Sequence, residues 1–279
     1  MPTLRQHLAE AAAGLQRAGV AEPRLTAEVL LASLLGQNRS YLYAHPEQPL
    51  EAAAAAHWQA LVEARAAGTP LQYLTGVQEF CGRPFLVTPA VLIPRPETEQ
   101  VVQAALEHLP PAAAARVVDV GTGCGCIAVT LALERPQARV AATDISAAAL
   151  AVARANAANL GAPVAFARAD LLAGLGGPFD LVVSNPPYVA EAELAALQPE
   201  VRAHEPRLAL VAGPAGTEIF ARLIPQAAAA LRPGGWLVLE LGYTAAGVVR
   251  GLLGHRWDQV ATRRDALGWK RVLTARRAR

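Results

Sequence analysis

The sequence predicts an α/β protein in which a parallel β-sheet is preceded by a small helical bundle. In the first 75 residues apolar side chains recur at helical spacing. After residue 115 short apolar runs alternate with helical patterns, which is typical of parallel strands joined by crossover helices. The chain has 279 residues, of which 53% are hydrophobic and 17% charged, so it can bury the cores of about two domains.

Three helices are predicted within residues 1–75. Thr3, with a glutamine three residues later, gives a capping-box pattern for the first helix. Thr26 is the predicted N-cap of the second helix, and Pro49 opens a third that ends at Gly68. Each helix has one apolar face, and burying these faces together gives a bundle.

The hydrophobic period changes between the bundle and the sheet. Phe80 and Phe85 flank Cys-Gly-Arg-Pro, which is typical of a hairpin turn. Two prolines then fix the backbone before a helix that we expect to begin near Thr98. The predicted domains are a helical domain at residues 1–75, a β-hairpin linker at 76–93 and an α/β domain at 94–279.

Apolar runs after residue 115 predict the strands of the sheet. The predicted parallel strands are 116–120, 139–143, 164–169, 179–184 and 235–241. Helices are predicted between them at 126–134, 146–159 and 216–231. The last two runs, 256–263 and 270–275, are separated by a short turn and therefore favour an antiparallel pair.

A glycine-rich segment follows the first predicted strand and reads Gly121-Thr-Gly-Cys-Gly125. Ligands of open α/β sheets bind at the carboxyl ends of the strands, and glycines let the backbone approach them closely. Asp144 ends the next strand, where a carboxylate can accept hydrogen bonds from both hydroxyls of a ribose. Cys126 stands where a dinucleotide motif needs its third glycine, so the pattern favours S-adenosylmethionine over a nicotinamide cofactor. The alternative is a tight turn without a ligand.

The segment Asn185-Pro186-Pro187-Tyr188 follows the fourth predicted strand. The two prolines lack N–H donors but keep their carbonyl acceptors, and Asn185 adds a side-chain acceptor and donor. These groups can bind both hydrogens of a planar NH₂ group and hold its nitrogen toward an electrophile. Tyr188 can lie against the substrate amide and near a sulfonium cation. A rigid turn without catalytic function is the alternative interpretation.

Taken with its other motifs, the chain resembles the protein-(glutamine-N5) methyltransferases of the HemK/PrmC family, which act on class 1 peptide chain release factors. The resemblance rests on residues 92–99, 119–128, 185–188, 205–210 and 265–271. It implies a Rossmann-like class I methyltransferase domain and S-adenosylmethionine as the cofactor. The substrate implied is the glutamine of a Gly-Gly-Gln loop.

The resemblance also implies roles for individual residues. Those expected to bind the cofactor are Gly121, Thr122, Gly123, Cys124, Gly125, Asp144, Leu171 and Asn185. Those expected to bind the glutamine side chain are Asn185, Pro186, Pro187 and Tyr188, of which Asn185, Pro186 and Tyr188 are the predicted catalytic residues. Leu171 stands where an aromatic residue is frequent in the family, so either adenine contact or ordinary core packing fits this position.

Three other functions fit parts of the sequence. Asn-Pro-Pro-Tyr also suits DNA adenine-N6 methylation, but residues 1–80 carry five arginines against seven glutamates, a poor match to phosphates. Glutamine methylation of a ribosomal protein would use the same chemistry, and a non-enzymatic assembly module would need no intact substrate motif.

Composition and charge limit the expected partners and location. With the release factors that the resemblance implies as partners, we expect a cytoplasmic monomer that binds neither nucleic acid nor membranes directly. Three cysteines and six histidines lack the spacing of a disulfide framework or a metal site, so no metal is predicted. Residues 256–279 carry seven arginines and one lysine against two aspartates, and this basic tail could steer an acidic partner.

Overall fold

The computed structural model describes residues 1–243 and 245–279. The helices are α1 Leu4–Arg17, α2 Pro23–Leu34, α3 Arg39–Ala44, α4 Ala52–Ala66, α5 Leu71–Thr75, α6 Pro96–Glu107, α7 Cys126–Glu134, α8 Ala147–Leu160, α9 Pro199–His204, α10 Arg207–Leu210, α11 Glu218–Ala230 and α12 Ala246–Leu252, with a 3₁₀ helix at Glu191–Ala196. The strands are β1 Val77–Phe80, β2 Arg83–Leu86, β3 Arg116–Val120, β4 Arg139–Asp144, β5 Val164–Arg168, β6 Phe179–Ser184, β7 Val189–Ala190, β8 Val211–Gly213, β9 Leu231–Glu240, β10 Trp257–Arg264 and β11 Lys270–Arg277. In these residues no helix combines the length and apolar character needed to cross a bilayer.

The described part of the chain divides into two compact units. One contains Met1–Val77 together with Gln198–His204, and the other contains Gln78–Leu197 and Glu205–Arg279. Helix α9 therefore belongs to the first unit although it lies far along the sequence. An ion pair between Arg65 and Glu200, with 2.9 Å between Nη1 and Oε2, attaches α9 within that unit.

The first unit is a bundle of short helices around one apolar core, as the sequence predicts. Thr3 forms the expected capping box with Gln6, whose side chain accepts a hydrogen bond from the Thr3 backbone N–H at 2.8 Å. The core is built from large apolar side chains of α1, α2 and α4, namely Leu4, Leu8, Leu15, Leu30, Leu31 and Trp58. Burial of these faces stabilises helices that would be marginal in isolation.

Two helix starts predicted in this unit are wrong. Helix α2 begins at Pro23, so Thr26 lies inside it, and the Thr26 hydroxyl donates to the Ala21 carbonyl at 3.3 Å. A proline in the first turn is already preorganised for a helix, so no side-chain cap is needed there. Pro49 pairs instead with Thr3 in an isolated β-bridge, and α4 begins at Ala52. Within residues 1–75 two short helices were not predicted, namely α3, which Asn38 caps, and α5.

The second unit opens with the predicted hairpin of β1 and β2. Its turn residues Cys81 and Gly82 have φ values of +49° and +70°, the signs that a two-residue type I′ turn requires. The backbone of Leu86 exchanges two hydrogen bonds with the buried Asn156 amide of α8, at 2.7 and 3.0 Å. The hairpin is thereby fixed to the helix that covers the glycine-rich loop.

The main sheet has the strand order β10-β11-β9-β6-β3-β4-β5. Strands β9, β6, β3, β4 and β5 are parallel neighbours, and β11 and β10 add an antiparallel pair, so the predicted α/β class is confirmed. Strand β9 begins at Leu231, four residues before the predicted start. The sheet and α11 share a core that includes Val118, Val182, Leu237, Leu239, Phe220 and Leu223.

Candidate active site

The site lies where three neighbouring parallel strands end. In the sheet β6, β3 and β4 are adjacent, and Val120 of β3 pairs with Ser184 of β6 and Thr143 of β4. Because the carboxyl ends of parallel strands share one edge, the segments after Val120, Asp144 and Ser184 converge there. The Ser184 hydroxyl donates to the Val120 carbonyl at 2.6 Å and joins two of these ends.

The glycines of the loop between β3 and α7 serve two different purposes. Gly121 and Gly123 have φ values of +71° and +55°, and a Cβ at either position would meet no atom within 4 Å. They are thus required by backbone conformation, and they leave open space beside the loop. At Gly125, with φ +86°, a Cβ would lie 3.1 Å from the Cβ of Ala153. This glycine permits close packing of the loop against α8.

A buried carboxyl group, that of Asp119, fixes the glycine-rich loop through hydrogen bonds. Asp119 is fully buried, and its Oδ2 accepts hydrogen bonds from the Thr122 hydroxyl at 2.6 Å and the Ala128 N–H at 3.2 Å. Its Oδ1 is buried without a partner among the described residues. Removal from water raises the pKa of Asp119 to about 7, against the two hydrogen bonds that lower it. The loop is also held by Asn156, whose Nδ2 donates to the Cys124 carbonyl at 2.9 Å.

Asp144, the last residue of β4, connects this loop to the start of α8. Its Oδ2 accepts from the Gly123 N–H at 2.9 Å, and its Oδ1 accepts from the Ser146 N–H at 2.8 Å. Each carboxylate oxygen can accept a second hydrogen bond. Asp144 lines the adjacent cavity, so both oxygens remain suited to bind hydroxyl groups of a ligand.

A cavity of about 260 Å³ lies over this edge of the sheet, entirely within the second unit. The predicted site residues that line it are Gly121, Thr122, Gly123, Cys124, Asp144, Leu171, Asn185 and Pro187. Three predicted residues, Gly125, Pro186 and Tyr188, are not among the described residues of its lining. Apolar side chains that were not predicted as site residues, including Ile127, Ile145 and Leu208, cover much of the wall. The cavity brings together the ends of β3, β4 and β6, and the binding roles of its residues stay predictions.

Leu171 has an unusual backbone conformation at the cavity wall. Its φ is +56°, a region that favours glycine, and its carbonyl accepts the Thr143 hydroxyl at 2.9 Å. The neighbouring Asp170 pairs with Arg222 of α11. The bond from Thr143 stabilises a backbone turn that a branched aliphatic residue rarely adopts.

The segment after β6 is tied to a second buried carboxyl group. Asn185 Nδ2 donates to the Thr98 hydroxyl at 3.2 Å, and this hydroxyl donates to Glu240 Oε2 at 2.6 Å. The Tyr188 hydroxyl lies 3.4 Å from the other oxygen of Glu240. Burial is the largest influence on Glu240 and raises its pKa to about 7, with Thr98 and Arg271 acting in the opposite direction. Burial likewise raises the pKa of the Tyr188 hydroxyl, which therefore stays protonated.

Two further contacts shape the site and were missed from the sequence. Glu205 is 6% exposed and accepts hydrogen bonds from the Ile93 N–H at 3.2 Å and from the Arg95 guanidinium. This pairing holds the segment before α6 beside Pro206, and both segments line the cavity. Both segments belong to the motifs that carry the family resemblance, but a glutamate and an arginine 110 residues apart give no local sign of pairing.

Comparison with known proteins gives matches over both units. Residues 6–76 match the model of the PrmC N-terminal domain, and residues 96–204 match that of the methyltransferase small domain. The chain is 46% identical to the release factor glutamine methyltransferase of Koribacter versatilis over 99% of both chains. It is 51% identical to the enzyme of that name from Moorella thermoacetica, over 90% of this chain and 89% of the relative.

A solved structure supports the fold independently. A methyltransferase from Pyrococcus furiosus superposes with a TM-score of 0.54 and 18% identity, over 79% of this chain and 98% of the other. At that identity the likeness establishes the fold alone. The two relatives, in contrast, are similar over nearly the whole chain, and the chain therefore belongs to the release factor glutamine methyltransferase family.

Proposed function

We propose that the chain transfers a methyl group from S-adenosylmethionine to the side-chain nitrogen N5 of a glutamine, in the Gly-Gly-Gln motif of class 1 release factors. The observation that carries this proposal is the position of Asn185 and Pro187 in the wall of the cavity that Asp144 also lines. A substrate amide bound by Asn185 and Pro187 would lie beside a cofactor bound by Asp144. Family membership supports the release factor as the substrate.

The cavity suits S-adenosylmethionine in shape and in donor set. Open space beside Gly121 and Gly123 allows close approach to the backbone, and Asp144 keeps acceptor capacity for ribose hydroxyls. Leu171 and Ile145 in the wall offer apolar surface for an adenine ring. When bound, the cofactor supplies a methyl group on a cationic sulfur.

The residues after β6 bind and orient the side-chain amide of the substrate glutamine. An amide nitrogen is a weak nucleophile because its lone pair is delocalised into the carbonyl group. The carbonyls of Pro186 and Pro187 and the Oδ1 of Asn185 are three hydrogen-bond acceptors directly after β6. These acceptors can therefore bind the two N–H groups and favour the pyramidal nitrogen of the transition state. Positioning of this kind can lower a barrier by up to about 7–11 kcal/mol in ideal cases.

The remaining assignments follow from this function. We assign release factor recognition to residues 1–75, a linking role to 76–93 and methyl transfer to 94–279. Asn185, Pro186 and Tyr188 are the proposed catalytic residues, and the location is the cytoplasm, where release factors act. We propose a monomer that contacts neither nucleic acid nor membrane directly.

The test is methyl transfer from isotopically labelled S-adenosylmethionine to a purified class 1 release factor. Parallel reactions contain duplex DNA, ribosomal proteins, or the same factor with its Gly-Gly-Gln glutamine changed to alanine. We expect label in the unaltered factor alone. Label in DNA or in a ribosomal protein, with none in the factor, would refute the substrate assignment.

A matched pair of asparagine variants tests the site. Asn185→Ala should lower kcat by about a hundredfold or more, since an oriented acceptor is lost, with a modest effect on cofactor affinity. Asn159→Ala, at an exposed position of α8, is the control and should keep full activity. Equal activity of the two variants would remove Asn185 from the mechanism.

A further inference from the structure

A continuous hydrogen-bond chain connects a buried carboxyl group to the amide of Asn185. Strands β6 and β9 are parallel neighbours in which Ser184 pairs with Leu239, so Asn185, directly after β6, and Glu240, the last residue of β9, come side by side. Thr98, in the first turn of α6, lies between them, with 2.6 Å from its hydroxyl to Glu240 and 3.2 Å to Asn185. Thr98 and Glu240 are each 2% exposed.

The hydrogen bonds from Asn185 through Thr98 to Glu240 all point the same way, because a hydroxyl group has only one proton to donate. The Thr98 hydroxyl donates that proton to Glu240, and an ionised carboxylate can only accept. The hydroxyl oxygen is then an acceptor toward Asn185, which must present its NH₂ group to Thr98. The Asn185 carbonyl oxygen consequently faces away from Thr98.

Rotation of the Asn185 amide by 180° would exchange the acceptor that faces the substrate for a donor. The NH₂ group would then face the substrate NH₂, donor against donor, and the acceptor needed for the amide proton would be lost. Thr98 and Asn185 both line the cavity, so the hydrogen-bond chain ends at the place where a substrate amide would lie.

We propose that Thr98 and Glu240 are positioning residues that lock the Asn185 amide with its Oδ1 directed at the N–H of the substrate glutamine. The inference rests on the proposed function for its substrate, while the orientation of Asn185 is a property of the chain itself. Glu240 also holds the Tyr188 hydroxyl, at 3.4 Å, so one carboxyl group supports both ends of the substrate motif.

The protonation state of Glu240 provides a readout that a merely structural role would not give. The charged or titratable groups that act on it are Arg271, Glu97 and Tyr188, and Thr98 donates to it. Burial raises the pKa of Glu240 to about 7, so this carboxyl group gains or loses its proton near neutral pH. A protonated Glu240 can donate to Thr98, and the Thr98 hydroxyl can then donate to Asn185. The orientation of the Asn185 amide is then no longer fixed.

The first experiment compares Thr98→Val with Thr98→Ser in methyl transfer to the release factor. Valine keeps the shape and removes the hydroxyl, whereas serine keeps the hydroxyl. We expect Thr98→Val to lower kcat by about tenfold to a hundredfold, the effect of one charge-assisted hydrogen bond, with KM for the factor changed less than about twofold. Thr98→Ser should recover most of the loss. Equal kcat in the two variants overturns the proposal.

The second experiment does not depend on activity. In ¹⁵N-labelled full-length protein the Asn185 side-chain amide is assigned by its absence from Asn185→Ala, and its two proton signals are followed between pH 5.5 and 8.5. We expect them to titrate in the wild type, to stop titrating in Glu240→Gln, and to shift in Thr98→Val but not in Thr98→Ser. Glu97→Gln, on the same turn of α6, should keep the titration but move its midpoint to lower pH, because the charge of Glu97 raises the pKa of Glu240.

The two experiments separate the possible failures. A wild-type protein that transfers no methyl group to the release factor refutes the proposed function, and the amide signals still decide the orientation of Asn185. Signals that neither titrate nor respond to Thr98→Val overturn the positioning proposal, whatever the activity. If Thr98→Val does not fold, Glu240→Gln decides alone, and an unchanged titration in that variant overturns the proposal.

Discussion

Asp144 is expected to determine cofactor affinity, and the structure allows the loss to be estimated. Both of its oxygens already accept a backbone N–H, from Gly123 at 2.9 Å and from Ser146 at 2.8 Å. Each oxygen therefore has one acceptor site left for a ribose hydroxyl. A hydrogen bond to a charged group contributes about 1.5–3 kcal/mol, so two such bonds set an upper range of about 3–6 kcal/mol.

Asparagine at this position replaces one of the two oxygens by an NH₂ group. Asp144→Asn should thus lose one hydrogen bond from a ribose hydroxyl and weaken cofactor binding about 10- to 150-fold. Asp144→Ala should weaken cofactor binding further. The NH₂ group would also oppose the N–H of Gly123 or Ser146, which loosens the loop. The assay is calorimetric titration of the purified protein with S-adenosylhomocysteine.

Asp180→Asn is the matched control for this prediction. Asp180 also accepts a backbone N–H, from Arg116 at 2.7 Å, and pairs with Arg232, but it is not part of the described cavity lining. It should lower stability without changing the affinity for S-adenosylhomocysteine. Equal affinity in Asp144→Ala and the wild type would refute the ribose assignment, and equal weakening in Asp180→Asn would show that the effect is one of general stability.

Three further predictions concern packing and protonation. Gly125→Ala, which places a Cβ 3.1 Å from that of Ala153 at a φ of +86°, should cost about 1–3 kcal/mol and lower the urea midpoint. Gly242→Ala places a Cβ 2.9 Å from Cδ2 of Tyr188, so the displaced ring should lower kcat about tenfold while cofactor affinity stays within about twofold. The raised pKa of Asp119, about 7 against an ordinary 3.8, means that the folded state keeps a proton that the unfolded state releases. Its contribution to stability should fall as pH rises from 5 to 8, and urea unfolding of Asp119→Asn should show a flatter pH dependence than the wild type.

The sheet and the convergence of its strand ends could be predicted because both follow from local patterns. A short apolar run identifies each buried strand, and the alternation with helices makes the strands parallel. Predicted bounds for β3 and β6 agree with the structure at both ends. Since parallel strands end at one edge, Asp144 and Asn185 could be predicted at the same edge, and both line the cavity there. The strand order β6-β3-β4, which sets the distance between them, could not be predicted.

The partners of Asn185 could not be predicted in the same way. Thr98 lies 87 residues from Asn185 and 142 residues from Glu240, and no periodicity relates such positions. A threonine near a helix start is interpreted as a capping residue, and a glutamate at a strand end as a solvated one. One signal was present, because Glu240 stands between two apolar residues, Leu239 and Leu241, and both are buried. A carboxyl group in such a run needs a partner.

Helix starts were the least predictable local feature. Thr26 has the residue type of a cap, but Pro23 three residues earlier already fixes the φ angle of a first turn. Pro49 has the residue type of a first turn, but its pairing with Thr3 places it in an extended segment. At Thr26 one local signal therefore outweighs another, whereas at Pro49 a contact between distant residues decides.

Two buried carboxyl groups, Asp119 and Glu240, lie on the strands that flank β6, and each organises one half of the site. Asp119 fixes the loop through Thr122, and Glu240 fixes the substrate motif through Thr98 and Tyr188. Burial raises the pKa of both groups to about 7, so each destabilises the folded state at neutral and alkaline pH. An apolar residue at either position would relieve that cost but could not accept the hydrogen bonds that orient the loop or the amide. The positions of the two groups are therefore better explained by the geometry of the site than by the stability of the fold.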